Sequence, residues 1–227
     1  MGGFESTRRW ACRRFRIGAQ RGHHVTAVRK AIPILLLVGL LVSACGSDVN
    51  SGDLLGVVVD PPQEKPTFVL TDTSGASYDF AEETQGRLTL LYFGYLNCPD
   101  ICPVHLAQIA EVFDQSPALG RESTVVFVSV DPDRDEPEEI RSFLDNFDSR
   151  FVGLVGSQDE VEAAQDAFGM PHAQKVGDGD DYTINHAGWV IAYAPDDLNY
   201  SIYPFGTRQS QWTNDLQLLA ETQPKEG

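Results

Sequence analysis

Continuous apolar runs and helically spaced apolar positions alternate along this chain. Leu88-Thr89-Leu90-Leu91-Tyr92-Phe93 is nearly unbroken in its hydrophobicity, the mark of a strand covered on both faces. Thr124 to Val130 (TVVFVSV) is a second such strand, and Val152-Gly153-Leu154-Val155 a third, shorter one. Between them Leu106, Ile109, Ala110 and Phe113 recur at helical spacing, and Pro137 to Phe147 reads as a helix with proline in its first turn. Ser157 and Glu160 fit a capping box that opens a helix through Phe168. Upstream, Phe68 to Thr71 and Tyr78 to Phe80 flank Asp72-Thr73-Ser74-Gly75, which predicts a hairpin. Downstream come an acidic turn from Gly177 to Asp181, a strand around Gly188 to Ala194, a final strand Tyr200 to Tyr203, and a last helix near Ser210 to Glu221.

Strands alternating with helices predict βαβ units in an α/β domain. The expectation is a mixed, mostly parallel central sheet flanked by helices, with an N-terminal β-hairpin. A thioredoxin-like sandwich fits this order.

The N-terminus follows another logic. Eight basic residues precede an apolar stretch from Ala31 to Val42, and small residues follow it, the order of a secretory signal. At about 1.5 Å per residue that stretch is short for a hydrocarbon core of about 30 Å. Leu41-Val42-Ser43-Ala44-Cys45 resembles the bacterial lipoprotein box, in which the cysteine is lipidated; an uncleaved anchor helix is the alternative. The expected organisation is a removed signal over 1–44, a tether over 45–63 and a folded domain over 64–222. The domain would then be lipid-anchored to the outer face of the cytoplasmic membrane through Cys45.

Removing the signal sharpens the charge. Of 17 basic and 33 acidic residues, eight and one lie in 1–44, which leaves 9 against 32, a net charge of −23. Such a body repels nucleic acid, excluding it as a partner, and steers cationic partners or metal carriers toward itself. Cys12 would leave with the signal, so Cys98 and Cys102 are the free sulfurs of the exported part.

Those two sit in Cys98-Pro99-Asp100-Ile101-Cys102-Pro103, directly after the first buried strand. A strand-to-helix junction aims backbone N–H groups at its occupant and favours thiolate over thiol. Proline disfavours helical geometry in the residue before it, so the helix is expected to start at Pro103 with both sulfurs in a loop, pointing outward. A disulfide across so short a loop constrains little of the unfolded chain. Two close thiolates are either a redox pair or half of a soft-metal site, and the pair alone does not decide.

His186, between the acidic turn and a strand, weighs toward metal. Two thiolates with one imidazole suit Cu(I), and hold Cu(II) with an added weak ligand, whereas structural zinc normally recruits a fourth protein ligand. Alone, such a histidine is ordinarily a packed polar residue. His105 reads as solvated or locally bonded, and His172 beside Met170 as part of a post-helix turn. Asp178 to Asp181 looks like a fragment of a calcium loop without its closing glutamate.

Gly94-Tyr95 with CPDICP, SVDPDRDEP from Ser129 to Pro137, and DYTINH ending in His186 resemble the Sco/SenC family of thioredoxin-like copper proteins. That family assists assembly of the binuclear copper centre of cytochrome c oxidase. The resemblance runs from about Phe68 to Leu219. It implies copper on Cys98, Cys102 and His186, a copper donor metallochaperone, and the copper-centre subunit of the oxidase as acceptor. Leu96 stands where the family commonly has threonine, which removes a hydroxyl but no ligand. Asp131, Asp133 and Asp135 serve either recognition of a copper donor or acceptor, or capping of their own loop. The leading expectation is a membrane-tethered copper chaperone rather than an enzyme. The alternative is an envelope thiol–disulfide reductase with Cys98 and Cys102 as its redox pair. A thiol peroxidase ranks last, because Tyr95 and not threonine stands three residues before Cys98.

Overall fold

The computed structural model describes residues 50–179 and 181–224. Along the chain, β1 (Val57–Glu64) precedes the hairpin of β2 (Val69–Asp72) and β3 (Ser77–Asp79), the short α1 (Phe80–Glu83) and β4 (Leu88–Gly94). Then come α2 (Ile101–Gln115), α3 (Pro117–Glu122), β5 (Ser123–Ser129), α4 (Pro137–Asp145), β6 (Val152–Val155) and α5 (Gln158–Ala167). The ribbon of β7 (Gln174–Val176) and β8 (Thr183–Asn185) leads to β9 (Val190–Tyr193), β10 (Leu198–Tyr203) and α6 (Gln209–Ala220).

Eight strands form one sheet in the order β1-β10-β9-β4-β5-β6-β2-β3. The expected parallel character is confined to β4, β5 and β6. The strands on either side run antiparallel to their neighbours, because each returns by a hairpin or from the opposite end of the fold. Every residue of β4 is buried. Its side chains alternate between faces. Tyr92 meets His105 of α2 edge-on at 5.4 Å, while Phe93 meets Phe168, just past α5, at 5.7 Å. On the first face Trp212 of α6 joins His105; on the second Phe68, Phe80 and Phe168 cluster. Cover on both sides is why the run from Leu88 to Phe93 can be apolar without alternation.

The stretch 45–63, expected as a tether, instead supplies most of β1, which pairs with β10 at the sheet edge. Asp215 of α6 ties down its approach, accepting from the Leu55 N–H at 2.9 Å, the Gly56 N–H at 2.8 Å and the Tyr203 hydroxyl at 3.1 Å. The contacts to Leu55 and Gly56 join positions some 160 residues apart, and no local pattern announces them. Also unforeseen is the β7–β8 ribbon, a separate two-stranded sheet. Its turn includes Gly177 and Gly179 at φ 113° and 70°, a region that side chains with a Cβ avoid. Among the described residues no helix is long and apolar enough to cross a membrane. The expected export signal, Cys12 and the expected lipidation site Cys45 lie outside the described residues.

Candidate metal centre

The cysteine bend differs from its sequence-based expectation in where the helix begins. α2 starts at Ile101, so Cys102 lies in its first turn, and Pro103 is accommodated because first-turn N–H groups have no helical partner to lose. One of those orphan donors, the Cys102 N–H, points at the Cys98 sulfur at 3.4 Å. Asp100 at the N-cap makes no side-chain capping bond. The Cys98 sulfur therefore does part of the work that a capping oxygen does elsewhere.

Neither sulfur points out to solvent. Cys98 is 9 % exposed and Cys102 fully buried. Gly94 makes the burial possible: a Cβ there would lie 3.0 Å from the Cys102 sulfur and 2.7 Å from the Phe127 ring. The Tyr92 hydroxyl donates to the Cys102 sulfur at 3.3 Å. No disulfide joins the two cysteines.

Their proximity splits their acidities. A hydrogen bond from Cys102 is the largest influence holding Cys98 down to about 4; His186 and the N–H groups of Cys102 and Asp100 help, against the opposing effect of burial. Cys102 is pushed far up, first by giving its proton to that bond and then by burial. The pair therefore shares one proton and one negative charge through the neutral range.

His186 follows directly on β8 and is partly exposed. Its ring stands edge-on to Tyr95 at 5.6 Å and tilted to Tyr92 at 6.3 Å. Nδ1 lies 3.2 Å from the Ala187 carbonyl. A carbonyl only accepts, so this contact is a hydrogen bond only when Nδ1 carries the proton, and the tautomer with its lone pair on Nε2 is the one that can ligate a metal. One ligand atom each from Cys98, Cys102 and His186 lies within 4.8 Å of the others. Three donors about 2.3 Å from one ion in a trigonal arrangement stand about 4.0 Å apart, so closing on a shared ion shortens these separations by less than about 1 Å. Two soft sulfurs and one imidazole fit a copper ion better than a hard cation. Among the described residues no other three histidine, cysteine or acidic side chains converge in this way.

The remaining expected residues take other places. Asp131 and Asp135 are 0 % and 5 % exposed, so these carboxylates face their own chain and not a partner. Asp131 accepts from the Tyr182 hydroxyl at 2.6 Å and from Arg134 Nε at 2.6 Å. Asp135 accepts from the Ser129 hydroxyl at 2.6 Å and the Leu96 N–H at 3.1 Å, which fixes the approach to the cysteine bend. Burial raises its carboxyl to about 6 against those hydrogen bonds. Asp133 alone is exposed, and it pairs with Lys175. His105, expected to be solvated or locally bonded, is fully buried, with Nε2 3.3 Å from the distant Gly188 carbonyl. His172 is bonded to Asp166 at 2.8 Å on the surface. Tyr92 and Tyr182, which touch the site or its supports, were not among the residues expected there. Tyr92 shares strand parity with Gly94, the residue whose missing side chain admits Cys102, and that parity was the available signal.

Known proteins place this geometry. The family model described as SCO1/SenC matches residues 58–221. The SCO2-like protein of Rickettsia felis is 30% identical over 170 residues, covering 72% of this chain and 82% of its own. The structure of Bradyrhizobium japonicum ScoI with copper bound aligns with a TM-score of 0.61 at 29% identity, over 68% of this chain and 98% of that one. The solution structure of apo Sco1 from Thermus thermophilus gives 0.66 at 27% identity, over 73% and 96%. The fold is accordingly the thioredoxin-like one, and the chain belongs to the SCO1/SenC family.

Proposed function

We propose that this protein binds copper as cargo on Cys98, Cys102 and His186 and delivers it for assembly of the binuclear copper centre of cytochrome c oxidase. The observation that carries this is the convergence of two sulfurs and one imidazole within 4.8 Å, where the chain leaves the central strand β4. A relative of the same fold, ScoI of Bradyrhizobium japonicum, has been solved with copper bound. The sulfurs lie inside and the imidazole is partly exposed, so the third ligand is the one an acceptor can reach first. Release by exchange of that ligand suits a carrier better than a closed four-ligand site would. The lipid anchor at Cys45, the outer face of the membrane, and the donor and oxidase partners complete the proposal on the sequence resemblance.

Replacement of the third ligand is the direct test. His186→Ala is expected to lower Cu(I) affinity at least tenfold in a chelator competition while leaving the fold unchanged; unaltered affinity would remove the main support. The acidity of Cys98, held at about 4, also favours thiol–disulfide exchange. A reductase requires metal-free protein to turn over a disulfide substrate repeatedly, and a single stoichiometric reduction would speak against it. An oxidised Cys98–Cys102 pair has no thiolate to offer, so its redox state would also govern copper loading.

A further inference from the structure

His186 follows a ribbon that the main sheet does not hold. β7 and β8 pair only with each other, and every residue of β7 is exposed. An open groove of about 310 Å³, lined by Val130, Asp133, Gln158, Ala173, Lys175 and Ile184, borders the ribbon. A two-stranded ribbon is marginally stable by itself in water. Contacts outside the ribbon must therefore determine where His186 stands.

Ile184 of β8 and Ala187 are buried in the core, and the polar contacts gather at Tyr182, directly before β8. Its hydroxyl donates to Asp131 at 2.6 Å. The Arg134 guanidinium lies 3.5 Å from its ring centre, and Arg134 Nη1 donates to its carbonyl at 3.0 Å. Arg134 is itself fixed by an ion pair with Asp131 at 2.5 Å. Lys175 of β7 adds a second cation 4.9 Å from the same ring and pairs with Asp133. Both carboxylates, Asp131 and Asp133, and the arginine belong to the loop that follows β5. The same loop grips the other half of the site, since Asp135 holds the Leu96 N–H and the Val130 N–H donates to the Gly94 carbonyl at 2.8 Å. Between Tyr182 and His186 runs only β8, an extended segment that passes a displacement at one end to the other.

Resting on the assignment of the three donors to copper, we propose that Asp131, Arg134 and Tyr182 form a latch that positions His186 against the two sulfurs. They act through β8 and do not ligate the ion. A latch differs from general structural support in that its effect on copper must pass through the imidazole.

A double-mutant cycle on the full-length protein separates the two. Tyr182→Phe keeps the ring under Arg134 but loses the bond to Asp131, and Arg134→Lys keeps the charge but loses the planar fork. Each is expected to weaken Cu(I) affinity by about tenfold in a chelator competition, without changing the Cys98–Cys102 reduction potential. In the His186→Ala background the same substitutions should leave the residual two-thiolate affinity unchanged. Equal losses in both backgrounds, or no loss with His186 present, would overturn the latch. If His186→Ala alone left copper affinity intact, the copper assignment would fall first and the latch with it.

Discussion

At the scale of single residues the site is a problem of charge placement. Burying two sulfurs beside each other is unfavourable if both ionise, and the structure resolves this by loading one charge onto Cys98. The thiolate absorbance of the reduced, metal-free protein should therefore vanish with a midpoint at about pH 4, and not near the ordinary 9.0. Cys98→Ser should abolish that acid step, and a midpoint near the ordinary value in the unsubstituted protein would contradict the assignment. The sign for copper follows. Between these limits Cys102 must still lose a proton on metallation, so Cu(I) affinity should rise with pH through the neutral range and fall steeply once Cys98 is protonated. Tyr92, whose hydroxyl donates to the Cys102 sulfur, is placed to stabilise the thiolate that metallation creates.

At the scale of elements, the loop after β5 joins parts that the sequence keeps far apart. Asp135 binds it to the cysteine bend, and Tyr182 binds it to the ribbon that leads to His186. The Asp135 carboxyl, at about 6 in the fold against an ordinary 3.8, binds its proton more tightly folded than unfolded. Its contribution to stability is therefore greatest at low pH and declines as pH rises from about 3.8 through about 6. Asp135→Asn retains an acceptor for the Leu96 N–H and removes the titration. The stability of the unsubstituted protein relative to Asp135→Asn in thermal melts should consequently be greatest below about pH 3.8, decline as pH rises to about 6 and level off above it; parallel curves would show that the carboxyl is not raised. The helix start also belongs here. Pro103 misdirected the expectation, because the preference of Cys102 for extended geometry is weaker than the gain from aiming first-turn N–H groups at a buried sulfur.

At the scale of the whole molecule, the segment from Leu55 to Glu64 is part of the fold. Asp215→Ala strips acceptors from the Leu55 and Gly56 N–H groups, whose bonds are part-buried, and from the buried Tyr203 hydroxyl. A loss of roughly 2–3 kcal/mol in denaturant unfolding is expected, with copper affinity unchanged. A loss below about 0.5 kcal/mol would mean that β1 is not anchored there. Much of this protein was legible in its sequence. The apolar runs of β4 and β5, the helical spacing in α2, the capping box of α5 and the pair of cysteines after a buried strand are local patterns, and local patterns report local structure. Strand direction at the sheet edges, the recruitment of β1, the burial of Asp131, Asp135 and His105, and the latch on Tyr182 were decided only by tertiary structure. Each depends on groups distant in sequence meeting in space, and a polar side chain looks the same in a string of letters whether water or a buried donor awaits it.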